Sequence, residues 1–203
     1  MLASSESFDD DVVALMKQGW NASSQRLTIF MAFCKAAVEH AISQRVLIEA
    51  GLHGTALSLI RLHFEAVVCA AWVLQGAKDD WISKFTTPVP DGDQSEPQLG
   101  SPIPSMLDTI GLYAPEHANE LRRLNETMKV MHSFVHGGAH LVVHALRGYP
   151  REKLIAVLRN RNLLLLMLVN VIVIASQQPQ LKGLVRQLGE VHRSCMPPLS
   201  RPS

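Results

Sequence analysis

Apolar residues recur at spacings of three and four along almost the whole chain, and alternating strand-like runs are missing. This period of 3.6 residues puts apolar side chains on one face of a helix. Two stretches, 55–75 and 154–176, are apolar around most of the helix circumference, which indicates either a well-enclosed core or further burial in an oligomer such as a homodimer. The sequence therefore predicts an all-α fold.

Serine, glycine and proline divide the chain into helical segments. Ser23–Ser24 is a good N-cap, glycines follow two of the long segments, and Pro150 opens the last long one. The predicted helical segments are 7–19, 24–50, 55–75, 81–85, 105–113, 115–135, 139–148, 151–178 and 180–193. Four long helices with short or flexible connections predict an antiparallel bundle of four long helices plus short helices.

The chain has the size of one domain. With 203 residues, 47% of them hydrophobic, it can bury a substantial core, so we expect a single helical domain over 1–203. Residues 86–104 hold five prolines and two glycines, which predicts a flexible surface loop. Residues 194–203 are also rich in proline, and we expect a disordered tail there.

Charge and targeting signals exclude some functions and locations. The net charge of +1 argues against broad nucleic-acid binding, and no DNA-binding signature is present. The N-terminus is acidic and polar, without the pattern of a signal peptide. The apolar run 163–175 is 13 residues long, short of a membrane span. We expect a cytoplasmic protein that does not enter a membrane.

A charged pair stands inside the apolar segment LIRLHFEAVVCAAW, residues 59–72. Arg61 and Glu65 are four apart, so they share a helix face and can pair directly. The pair either orients Arg61 toward a ligand or ties the bundle together. His63 is two residues from Arg61, roughly on the opposite side of the helix, and is expected at the surface or at a second interface.

Four histidines are spaced by four in MHSFVHGGAHLVVH: His132, His136, His140 and His144. An unbroken helix would align all four, but Gly137–Gly138 favours a helix end between the two pairs. His132 and His136 form a possible two-ligand metal half-site that needs a third ligand, such as His53. Ser133 and His136 also bracket the last helical turn, from which they could reach Arg61 and Glu65.

These motifs together resemble a group of bacterial helical proteins placed near the HEPN superfamily. The resemblance covers roughly residues 55–150. The matching residues are Arg61, Glu65, Trp72, Asp80, Trp81 and Phe85, then Ser133, His136, Gly137 and Gly138.

The resemblance implies a cytoplasmic bundle, usually a homodimer. Many HEPN proteins are toxins, phage-defence components or ribonucleases. Others lack nuclease activity and act as binding, antitoxin or accessory modules.

Cleavage in the nucleases is metal-independent and uses an arginine and a histidine from two protomers. Their signature is an arginine and a histidine on one helix with four to six residues between them, and no histidine stands at that distance after Arg61. Only Arg186 and His192 match that spacing, and about one or two such matches arise by chance.

A second resemblance is to DinB-like bundles, which hold a metal with three histidines. His132 and His136 match the paired ligands and His53 the third, although Gly137–Gly138 departs from that pattern.

We therefore expect a HEPN-like binding or accessory protein of a bacterial stress or phage-defence system, of toxin–antitoxin type. Its polar site would consist of Arg61, Glu65, Ser133 and His136, it would need no cofactor, and its partner would be RNA or a protein. The alternatives are a metal-independent dimeric ribonuclease and a DinB-like metal-binding bundle.

Overall fold

The described residues form nine α-helices and no strand. The computed structural model describes residues 1–17, 23–87, 100–135 and 138–198, with the backbone alone at 129–133, 135, 179 and 182. The helices are α1 (Leu2–Met16), α2 (Gln25–Glu49), α3 (His53–Gln75), α4 (Asp79–Thr86), α5 (Ile103–Tyr113), α6 (Pro115–Val135), α7 (Ala139–Arg147), α8 (Arg151–Ser176) and α9 (Lys182–Val191). The all-α prediction is confirmed.

Helices α2 and α3 form an antiparallel hairpin. Ser24 caps α2 by accepting a hydrogen bond from the Leu27 amide at 3.2 Å, and Gly51, with φ of +77°, lets the chain reverse after α2. Two hydrogen bonds fix the register of α2 against α3. At one end of the hairpin, the Gln44 side chain donates to the Ala56 carbonyl at 2.8 Å. At the other end of the hairpin, Arg26 donates to the Val73 carbonyl at 2.6 Å.

Helix α8 completes the core by packing against both α2 and α3. Its apolar residues are buried on several sides, Leu164, Leu165, Leu168 and Ile172 completely. Helices α3 and α8 are each long and apolar enough to cross a membrane, and 67% of the most apolar window in each is buried within the fold. Such helices occur both in soluble cores and in membranes, so their composition assigns no compartment.

Several segment boundaries differ from the sequence prediction. Helix α1 begins at Leu2 rather than residue 7, because Ser5 and Asp9 are buried against polar partners from other helices. Residues 86 and 103–104, predicted as loop, belong to α4 and α5. The proposed mobility of the remaining loop falls mostly on residues 88–99, outside the described chain. Residues 193–195 form a 3₁₀ turn in which Cys195 is fully buried, so the packed chain extends past residue 194.

An aromatic cluster joins α3 to α4 and brings the chain back toward α3. The ring centroids of Trp72 and Trp81 are 4.8 Å apart in an edge-on contact, and Phe85 stacks on Trp81 at 4.8 Å. Gly100 passes directly over Trp72: a Cβ atom at Gly100 would lie 2.6 Å from the indole ring. This contact positions the chain just before α5.

Candidate functional site

Arg61 and Glu65 form the charged pair predicted for α3. The Arg61 Nε donates to Glu65 Oε1 at 2.7 Å, as side chains four apart on a helix can. Both are half-buried, with 30% and 32% of the side chain exposed. The pairing is therefore confirmed, and the pair remains in contact with solvent.

The pair faces a small pocket between three helices, with a volume of about 230 Å³. Helix α3 forms one wall, the start of α5 the second and the middle of α6 the third. The lining residues are Arg61, Phe64, Glu65, Ile103, Pro104, Asn125 and Met128. The pocket thus combines a cation, a carboxylate and an amide with an apolar floor.

Two of the polar lining groups keep unused hydrogen-bonding capacity. Within the described chain, Glu65 accepts a hydrogen bond only from Arg61, and the Asn125 side chain has no partner. Burial raises the pKa of the Cys69 thiol to about 12, and the nearby Glu65 carboxylate adds to the increase. The negative charge of Glu65 thus affects the Cys69 thiol, one turn further along α3.

The remaining residues predicted for this site lie at the end of α6. Helix α6 continues through His132 and Ser133, where the backbone alone is described, and His132 follows Met128 by one turn. His136 and Gly137 lie outside the described residues. The predicted contact between Arg61 and His136 therefore remains a prediction.

The other histidines of the predicted ladder pack against aromatic rings. Phe134 stacks on His140 and His144, with centroids 6.3 and 5.9 Å apart. His144 also stacks on Tyr149 at 5.1 Å, and His53 contacts the edge of the same tyrosine ring at 5.1 Å. His53, the predicted third metal ligand, thus lies in an aromatic cluster at the α7 end of the bundle.

A metal ion needs several histidine, cysteine or carboxylate side chains close together, so only the described side chains bear on this prediction. Among them, no group of three or more histidine, cysteine, aspartate or glutamate residues could hold a metal ion. His132 and His136 are outside that set, so the metal half-site stays a prediction.

His63 was expected at the surface or at a second interface, and the surface alternative is wrong. The side chain is fully buried, and neither ring nitrogen has a hydrogen-bond partner within the described structure. Burial lowers the pKa of His63 well below 6.5, and the positive charges of Arg161 and His40 lower it further. The ring is therefore neutral at physiological pH. Helix α3 is enclosed on that side as well, because α2 and α8 cover it.

The sequence did not predict the buried ionic cluster around Asp9. One carboxylate oxygen of Asp9 accepts from Arg161, and the other accepts from Arg45 Nε at 2.8 Å. Arg161 also donates to the Ala41 carbonyl at 2.9 Å and to Asn162 at 2.6 Å. A single carboxylate thus serves two guanidinium groups from α2 and α8.

The same cluster holds the two ends of the chain together. The Asn162 amide donates to Ser5 Oγ and to the Cys195 carbonyl, both at 2.9 Å. The ring of His192 lies 2.7 Å from Asp11 and packs on Phe8. No local motif signalled these hydrogen bonds, because the residues that they join are 33 to 181 positions apart.

The one arginine–histidine match to the HEPN spacing does not form a site within the chain. His192 is buried against α1, whereas 84% of the Arg186 side chain is exposed. Arg186 pairs with Glu190, with its Nε 2.8 Å from Glu190 Oε1. The two side chains therefore face different surroundings.

Comparison with known proteins gives one match. The model of a family of unknown function (DUF6988) matches residues 34–198. No curated protein and no solved structure matches the chain. The matched region contains the whole of the pocket and excludes α1.

Proposed function

The chain belongs to the DUF6988 family, and from that premise we propose that it is a binding or accessory module whose partner engages the Arg61–Glu65 pocket. Following the HEPN resemblance, the proposed setting is a cytoplasmic bacterial stress or phage-defence system of toxin–antitoxin type. The proposed partner is RNA or a protein, and the proposed working form is a homodimer.

One observation carries this proposal: a charged pair in an apolar helix opens onto a pocket instead of being sealed in the core. A pair that served only to tie helices together would gain nothing from remaining about one-third exposed, because solvent weakens its attraction. Within the part of the chain that the structure describes, Glu65 keeps unused acceptor sites and the Asn125 amide has no partner. Both observations point the same way, since polar groups converging in a concave site are typical of ligand recognition.

Partner capture in cells tests the proposal, with the pair on α9 as control. Arg186 and Glu190 have the same spacing and nearly the same Nε–Oε1 distance, 2.8 Å, but lie outside the pocket. We expect ultraviolet cross-linking and affinity capture to recover RNA or a protein with the wild-type chain. Recovery should fall at least fivefold in Glu65→Gln and stay unchanged in Glu190→Gln.

Melting temperatures of the variants separate a binding role from a structural one. If Glu65→Gln captures the same partners as wild type, or loses them only in proportion to a lower melting temperature, the pair is structural and the proposal fails. Captured RNA that is cut in EDTA, with cutting abolished by His136→Ala, would identify the ribonuclease alternative.

A further inference from the structure

The polar groups of the pocket, taken with its size, point to one ligand class. We infer that the Arg61–Glu65 pocket binds a single guanine base; the inference rests on the proposed binding function of that pocket.

The charges in the pocket favour a neutral ligand. Its described lining carries one cation, Arg61, and one anion, Glu65, held 2.7 Å apart. A phosphate or carboxylate entering beside Arg61 would also approach the Glu65 carboxylate, and like charges repel. A neutral group meets no such penalty.

The hydrogen-bonding pattern calls for adjacent donors on the ligand. An ionised carboxylate only accepts hydrogen bonds and has about four lone-pair sites. Arg61 occupies one site on Oε1 of Glu65. The others suit a ligand edge with neighbouring N–H groups. The Asn125 amide supplies both a donor and an acceptor nearby.

Guanine presents that edge, whereas the other bases do not. Its N1–H and its exocyclic amino group are adjacent donors that a carboxylate accepts together, and O6 beside them is an acceptor for an amide N–H. Adenine places the N1 lone pair where guanine carries a hydrogen, so that acceptor would face the Glu65 carboxylate. Inosine keeps N1–H and O6 but lacks the amino group.

The size and walls fit one planar ring system. A volume of about 230 Å³ is below the range of about 300–1,000 Å³ typical of sites for drug-sized molecules. Phe64 and Met128 provide an apolar floor, and Ile103 and Pro104 close the side at the start of α5. Such apolar surfaces pack against the face of a base while its edge meets the polar groups.

Titration of the full chain with nucleosides, followed by NMR, tests the inference. The probes are guanosine, inosine, adenosine, uridine and inorganic phosphate, and the signal is the Asn125 side-chain amide together with the Met128 methyl. Guanosine should shift both signals. Inosine should bind about tenfold more weakly, since it lacks one hydrogen bond to a charged group. Adenosine, uridine and phosphate should leave the signals in place.

Protein variants test whether Glu65 accepts hydrogen bonds from the bound guanosine. Glu65→Gln replaces one acceptor oxygen by a donor and should weaken guanosine binding at least tenfold, whereas Glu190→Gln should bind as wild type does. The ranking among nucleosides is measured on the wild-type chain, so the test stands even if Glu65→Gln folds poorly.

Three outcomes would overturn the guanine assignment: adenosine binding as well as guanosine, phosphate alone shifting the pocket signals, or no nucleoside shifting them up to its solubility limit. Partner capture that still depends on Glu65 would then leave the proposed binding function intact. Failure of the capture test would remove both.

Discussion

At the scale of single residues, the buried Asp9 carboxylate links α1 to α2 and α8. It is 2% exposed and accepts from guanidinium groups on two other helices. Burial lowers the pKa of Arg161, and the attraction of Asp9 opposes that decrease. Taking away the carboxylate would leave a buried cation without its partner.

We therefore expect Asp9→Asn to lower the free energy of unfolding by about 3–5 kcal/mol, the usual cost of breaking a buried ion pair. Asp10→Asn changes the exposed neighbouring residue and should shift it by less than about 0.5 kcal/mol. Chemical denaturation of both variants measures the difference. Equal stabilities would mean that Arg161 is satisfied by the Ala41 carbonyl and Asn162 alone.

His63 should make stability depend on pH. In the unfolded chain its pKa is near 6.5, whereas burial, Arg161 and His40 hold the folded-state pKa well below that value. The unfolded state then binds more protons, so stability rises with pH. The contribution is complete above about pH 6.5 and falls as the pH drops toward the folded-state pKa, by at most about 1.4 kcal/mol per pH unit.

Denaturation curves between pH 7 and 5 check this prediction. His63→Leu removes the titrating group and an unpaired buried polar ring, so the pH slope should become shallower than that of wild type. Leu62→Ala, at an exposed position of α3, removes no titrating group and should keep the wild-type slope. His117, whose pKa burial also lowers, supplies part of the slope that remains. Identical slopes in all three proteins would contradict the prediction.

At the scale of elements, the position of α5 depends on the close passage of Gly100 over Trp72. Gly100 has φ of +61° and no room for a Cβ atom, which would lie 2.6 Å from the rigid indole. Gly51 has a similar φ of +77° but nothing within 4 Å. The two glycines thus separate the cost of the backbone conformation from the cost of the contact.

Gly51→Ala should cost about 1–2 kcal/mol, the strain of a left-handed alanine. Gly100→Ala should cost a further 1–3 kcal/mol or so, since the indole or the chain must move. It should also change tryptophan fluorescence, because Trp72 and Trp81 are in contact. Unfolding free energies and emission spectra test both statements; equal costs for the two variants would show that the chain yields freely at Gly100.

At the scale of the whole molecule, the proposed homodimer has a defined test. None of the residues of α7 is buried, and its apolar Val142, Val143 and Leu146 are exposed, Leu146 by 82%. If this face meets a second copy, the mass in solution is twice 22.4 kDa. Leu146→Asp should then give monomers. Leu112→Asp changes an equally exposed leucine on α5, 80% exposed, and should leave the dimer intact.

Light scattering after size exclusion measures both masses. A monomeric wild-type chain at all concentrations would contradict the dimer. A dimer that resists Leu146→Asp would place its interface elsewhere.

The features that could be predicted from the sequence are those that depend on residues close together along the chain. The three- and four-residue spacing of apolar side chains predicts helices because a helix repeats every 3.6 residues. The Arg61–Glu65 pair could be predicted for the same reason, since residues four apart meet on any helix. The N-cap at Ser24 is local in the same way. Each of these features needs only one element to form.

Which charged side chains are buried, and which residues they contact, depends on how the helices pack against one another. Arg161 looks like a flanking charge in the sequence, yet its partner Asp9 is 152 residues away. His63 was predicted to lie at the surface or at a second interface because it is roughly opposite Arg61 on the helix, yet its side chain is fully buried. The pocket at Arg61 likewise needs Asn125 from α6 and Pro104 from α5. Such contacts depend on how helices pack, and helical periodicity, which sets the apolar face, does not specify which distant helix will cover it.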